Sequence, residues 1–196
     1  MVEKRCILLL VSAAILALTV SGCASTAQRE TVLYEAFADL NEDGVLEHYT
    51  LKEGVLSVME DSTEIWRSPE GTRVQHFAIG DIDGDGRDDL AISLWRRGSF
   101  GRHKPFWHTE ADDAFQNHLF IYHMREGVLR PMWCSSALRK PIASLSIDQG
   151  EQGPTLTVWE GQYKKPYGKT YALDETHGYE ELTWRWSEWG FVLVQP

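Results

Sequence analysis

Phe77-Ala78-Ile79-Gly80-Asp81-Ile82-Asp83-Gly84-Asp85-Gly86-Arg87-Asp88-Asp89 has a counterpart earlier in the same chain, Phe37-Ala38-Asp39-Leu40-Asn41-Glu42-Asp43-Gly44-Val45-Leu46-Glu47. Asp39, Asn41, Asp43 and Glu47 recur as Asp81, Asp83, Asp85 and Asp89 at a constant spacing of 42. An internal repeat is one structural unit used again, so the unit is read before any single element. Behind each acidic loop apolar and polar residues alternate, which is the period of a half-buried strand. Residues 47–52, 55–59 and 64–67 read as strands of the first unit, and residues 90–95, 118–124 and 129–134 as strands of the second. Glu126-Gly127 is the tight hairpin turn of that second unit. A worn third unit follows in residues 142–147, 155–159, 181–186 and 190–194, with residues 148–153 standing where the acidic loop was. Almost no helical period occurs after Val20. The expectation is therefore an all-β domain of three four-stranded units.

The chemistry of the loops is oxygen chemistry. Asp81, Asp83 and Asp85 alternate along an extended turn, so their carboxylates can converge while Gly84 and Gly86 let the backbone curl. The Arg87 carbonyl and the Asp89 carboxylate would complete the set. In the first loop Asp39, Asn41, Asp43, the Val45 carbonyl and Glu47 hold the same places. Hard, flexible oxygen donors suit calcium, and a crowd of carboxylates without a cation repels itself. Position twelve, a bidentate Glu in an EF-hand, is Thr50 or Ile92, which excludes that helical geometry. On these residues the loops resemble the FG-GAP (VCBS-type) repeats of integrin-like β-propellers. The resemblance implies four-stranded blades, calcium in the loop between a blade's first two strands, and a role in adhesion or ligand binding rather than chemistry. Three units stand where such propellers usually have seven, so the expected architecture is a small or partial β-propeller-like domain.

The start of the chain points to a compartment. Lys4 and Arg5 precede an apolar run from Ile7 to Val20, too short for an easy membrane span, followed by Ser21-Gly22-Cys23. Val20-Ser21-Gly22-Cys23 resembles the lipobox of bacterial lipoproteins, which implies a signal peptide over residues 1–22 and a lipid on Cys23. Residues 23–30 are small and polar and read as a flexible tether, and residues 31–196 as the β domain. Ala24 in place of Asp favours, by the same resemblance, the outer membrane facing the periplasm where the host has two membranes. With 19 basic and 29 acidic side chains the chain carries a net charge of −10, and loss of the leader leaves it more acidic. That balance argues against nucleic acid and against lying flat on anionic lipid, and for divalent cations as charged partners. Cys134 is the one thiol left after cleavage and acylation, so no internal disulfide can form.

Two segments exceed what a four-stranded unit needs. Residues 96–117 separate the second and third strands of unit two, and residues 161–179 occupy the same joint of unit three. Connections at equivalent joints leave the sheet at the same end, so the two insertions are expected to share a face, away from the acidic loops. That face would hold Arg96, Arg97, Arg102, Lys104, Lys164 and Lys165 with Phe106, Trp107, Tyr163 and Tyr167. Long loops in compact domains are commonly functional, and rings beside cations suit an envelope glycan or an acidic protein surface. His103, His108 and His118 match no compact zinc spacing and read as ordinary histidines. Glu110, Asp112 and Asp113 offer carboxylates, but neighbours on a loop do not establish the separation glycoside hydrolysis needs. The leading expectation is a non-catalytic binding or assembly module held at the cell envelope. The alternatives are a small cell-wall or polysaccharide hydrolase and a purely structural envelope lipoprotein.

Overall fold

The computed structural model describes residues 34–100, 105–107 and 109–194. The signal peptide, Cys23 and the tether lie outside the described residues. Every regular element described is a strand. β1 (Tyr34–Ala38), β2 (Glu47–Lys52), β3 (Val55–Glu60) and β4 (Thr63–Arg67) form one antiparallel sheet in chain order. β5 (Arg73–Gly80), β6 (Asp89–Arg97), β7 (Phe115–Arg125) and β8 (Val128–Cys134) form the second. β9 (Ile142–Gly150), β10 (Gly153–Glu160), β13 (Glu180–Ser187) and β14 (Gly190–Leu193) form the third, while β11 (Gln162–Tyr163) and β12 (Leu173–Asp174) make a small hairpin between β10 and β13. The molecule is thus all-β, with three four-stranded meanders as the repeat predicts, in a partial propeller-like arrangement.

Side-chain alternation explains how the sheets associate. In β2, Glu47, Tyr49 and Leu51 are buried while His48 and Thr50 are half-buried and Lys52 is exposed, the period-two pattern of a sheet covered on one face. From Asp89 to Trp95, β6 is buried at every position because the second sheet is covered on both faces. Its Leu90, Ile92 and Leu94, with Phe120 and Tyr122 of β7, pack against Tyr49, Leu56 and Val58 of the first sheet. Ala91, Leu119 and Ile121 point the other way, onto Ile142, Leu145, Leu156 and Val158 of the third. Trp66 packs against the first core and Trp133 against the second.

One polar network is sealed between the second and third sheets. Asn117 Nδ2 donates to Ser93 Oγ (3.0 Å) and the Leu94 carbonyl (3.3 Å), and its Oδ1 accepts from Ile142 N (3.0 Å). Ser93 Oγ donates to the Ile142 carbonyl (2.9 Å). A satisfied buried network holds one register where apolar contacts alone would tolerate a slip. The far faces of the outer sheets are mixed, with His48, Thr50 and Ser57 beside Phe37 on the first and Ser144, Ser146 and Thr183 beside Trp159 and Val192 on the third.

Two strand limits differ from the sequence reading. The second sheet's insertion spans only residues 98–114, because β6 continues through Arg97 and β7 begins at Phe115, pairing Arg97↔Phe115. In the third sheet β9 and β10 run together to Gly150↔Gly153, so a two-residue hairpin takes the place of the expected loop over 148–153.

Candidate functional site

At one end of the stack lie the two acidic loops. They share a backbone: Glu42 and Gly84 have φ of 60° and 83°, and Gly44 and Gly86 have 90° and 89°, each pair 42 residues apart. Gly44 and Gly86 meet this left-handed demand freely, whereas Glu42 adopts it at a steric cost. Four hydrogen bonds repeat at the same spacing. Leu40 N donates to Glu47 Oε2 (2.8 Å) as Ile82 N does to Asp89 Oδ2 (3.2 Å). Gly44 N donates to Asp39 Oδ2 (3.0 Å) as Gly86 N does to Asp81 Oδ2 (2.9 Å). The pairs Asp43 N to Asn41 and Val45 N to Asp43 are likewise matched by Asp85 N to Asp83 and Arg87 N to Asp85.

The second loop brings Asp81, Asp83 and Asp89 together, each with a carboxylate oxygen within 4.8 Å of the others. Asp85, expected in the same set, turns its other oxygen to the Arg87 guanidinium at 2.7 Å, which holds its carboxyl below the usual range. Burial pushes Asp89 up to about 6, against the pull of its hydrogen bonds from His123 (2.8 Å) and Ile82. In the first loop Glu47 is wholly buried, burial raises its pKa, and among the described residues its Oε1 has no hydrogen-bond partner. Asn41 Nδ2 there reaches Glu60 Oε2 at 2.8 Å. In the second loop Asp81 is half-buried, Asp83 exposed and Asp89 buried, and crowded carboxylates of this kind are oxygen donors that a hard divalent cation would neutralise. The third sheet braces this end through Gln149 Nε2, which donates to the Asp81 carbonyl at 2.7 Å.

At the opposite end the described parts of the two insertions are tied together. Phe115 N donates to the Lys169 carbonyl (2.8 Å), and Tyr171 N to the Phe115 carbonyl (3.0 Å). Lys169 Nζ pairs with Asp113 Oδ1 at 2.6 Å. Asp112 closes the neck of the first insertion by accepting from Ser99 N and Phe100 N, at 2.8 and 2.9 Å, while Gly98 N donates to the Ala114 carbonyl. Two of the carboxylates weighed for hydrolysis thus hold backbone and a lysine.

The predicted recognition residues fall into separate groups. Phe106 and Trp107 are 90% and 72% exposed and meet edge to face at 4.9 Å. Tyr167 is 93% exposed, and Lys164 and Lys165 are exposed. Tyr163 departs from expectation. Its ring lies between Trp95 (5.9 Å) and Tyr171 (5.3 Å), and its hydroxyl donates to the Leu138 carbonyl (2.8 Å), so it anchors the insertion instead of presenting a ring. Arg96 and Arg97 sit on β6, not on a loop. Arg102 and Lys104, with His103 and His108, lie outside the described residues. His118 is buried, its Nε2 without a partner among the described residues, and desolvation lowers its pKa. Cys134 is exposed.

A cleft of about 540 Å³ opens at this end beneath the connection that joins the first two sheets. Pro69, Glu70 and Thr72 of the β4–β5 connection, Leu94, Arg96 and Arg97 of β6, Phe115 and Phe120 of β7, and Thr170 of the second insertion line it. The part played by residues 69–72 and Thr170 carried no signal in the sequence beyond a Pro-Glu-Gly turn. Compared with protein families, with curated proteins and with solved structures, the chain has no match.

Proposed function

We propose that this protein is a non-catalytic binding or assembly module, tethered to the outside of a bacterial membrane by a lipid on Cys23 and recognising cell-envelope glycan or protein through its insertion-bearing end. The observation that carries the reading is the joining of residues 113–115 to residues 169–171, which sets the second insertion, with exposed Tyr167, beside the arginine-lined cleft. Rings that rest in solvent while a rigid stack of sheets supports their loops are placed for contact with another molecule.

Calcium belongs to the other end in this reading. Asp81, Asp83 and Asp89 would hold one ion, and Asp39, Asn41 and Glu47 a second. Bound there, calcium supplies positive charge that neutralises buried carboxylates. It would act on stability, and the recognition end would feel it only through the sheets.

A glycan array and a pull-down from envelope extracts, run with the wild type and with Trp107→Ala and Tyr167→Ala, test the reading. At least one substitution should weaken a retained ligand by about tenfold or more, the effect of losing an exposed anchor ring. The reading fails if neither assay yields a ligand that either substitution weakens.

A further inference from the structure

We propose that the cleft beneath the connection that joins the first two sheets binds a sugar bearing a carboxylate, with the Arg96 guanidinium holding the acid group and Tyr167 stacking on a ring face at the rim; this rests on the binding-module reading and names its ligand chemistry.

Arg96 is the reason for the acid. Its guanidinium carbon lies 5.7 Å from the centre of the Phe120 ring, and among the described residues no carboxylate pairs with it. A ring face supports the cation without consuming its N–H groups, so the planar fork remains free to grip a carboxylate through two parallel hydrogen bonds. Arg97 beside it, 5.8 Å from the Phe115 ring centre, gives one N–H to the Asp113 carbonyl and adds a second positive charge. In a chain of net charge −10, two arginines lining one cleft form a local reversal of sign that draws anions there.

The other walls are the reason for the sugar. Leu94 and Phe115 offer apolar surface, while Thr72, Thr170 and Glu70 offer hydroxyls and an acceptor. A pyranose presents C–H faces to the first kind and hydroxyl edges to the second. Glu70 accepts readily from a sugar hydroxyl. Tyr167 is fixed near this opening because its backbone exchanges two 3.1 Å hydrogen bonds with Thr170, which lines the cleft. A volume of about 540 Å³ falls in the range of small-ligand sites.

Titration calorimetry of the full-length chain in detergent, with a glucuronate-terminated disaccharide, N-acetylmuramic acid and their neutral counterparts, decides the matter. The acidic member of each pair should bind at least about tenfold more tightly, the worth of a charge-assisted bidentate contact. Arg96→Gln should erase that preference at an unchanged melting temperature, and Arg96→Lys should restore only part of it. Tyr167→Ala, at a position too exposed to disturb the fold, should weaken acidic and neutral sugars alike. Equal binding of acidic and neutral sugars, or an Arg96→Gln chain that keeps the preference, overturns the proposal. A neutral glycan or a protein that binds more tightly than either acidic sugar, and is sensitive to Tyr167→Ala but not to Arg96→Gln, also overturns it, while leaving the binding-module reading in place.

Discussion

Glu47 and Asp89 occupy the same place in two loops, yet their second oxygens meet different neighbours. Asp89 Oδ1 takes a hydrogen bond from His123, whereas Glu47 Oε1 takes none among the described residues. Both carboxylates gain from a cation, since burial disfavours their charge. Raising free calcium to about 10 mM, some 100 times a dissociation constant of ~0.1 mM, should stabilise the chain by about 2.7 kcal/mol per occupied site. That corresponds to a rise of roughly 5–10 °C in melting temperature, and Asp81→Asn should remove part of it. Superimposable melting curves in calcium and in excess chelator would count against both sites. His118 sets a second residue-level expectation. Desolvation lowers its folded pKa below the ordinary 6.5, so below that pH the unfolded chain takes up a proton that the folded chain refuses. Stability from this group is therefore whole above pH 6.5 and falls by up to about 1.4 kcal/mol per pH unit as the pH drops toward the folded value. In saturating calcium, His118→Gln should flatten that part of the profile in denaturant titrations; parallel profiles for the two chains would refute it. The acidic residues were legible in sequence because a carboxylate's chemistry travels with its identity. Arg87 capturing Asp85, and Tyr163 turning inward, were not, because each depends on which neighbour the fold supplies.

Among the elements, the strands followed from alternation, and most of their limits from turn chemistry. The Glu53-Gly54 and Glu126-Gly127 turns take positive φ at both residues, the backbone that closes a two-residue hairpin with the right twist. What alternation could not supply was how far β6 and β7 continue, since their last pairs, Arg96↔Gln116 and Arg97↔Phe115, are polar or aromatic and read as loop. The contact between β5 and β9 is equally invisible in sequence. A Cβ built on Gly80 would lie 2.9 Å from Ile147 Cγ2, so the two strands approach as closely as they do because this position has no side chain. Gly80→Ala should cost about 1–3 kcal/mol in chemical denaturation. Adding Ile147→Val, which removes a methyl group next to the clash, should recover part of the loss, giving a favourable coupling between the two changes. Strictly additive effects would mean that this approach does not limit the packing.

At the scale of the whole molecule, three sheets form a stack whose middle member shares a core with each neighbour. The acidic loops and the insertion-bearing end are held apart by the length of the strands. In this reading the lipid sets where the stack works. Cys23→Ser should move the protein from the detergent-rich to the aqueous phase on detergent partitioning of cells, and a substituted chain that still partitions with detergent would refute the anchor. By itself the sequence determined the repeat, the all-β class, the number of four-stranded sheets and the acidic character of one set of loops. These are written in local periodicity and in side-chain chemistry, which survive whatever lies beside them. Only the tertiary structure decided that the two insertions meet, that Arg96 and Arg97 line a cleft under the first sheet's connection, and that Tyr163 is an anchor. Such facts join residues 20 to 100 positions apart, and a contact of that kind exists only once packing has chosen which surfaces face each other.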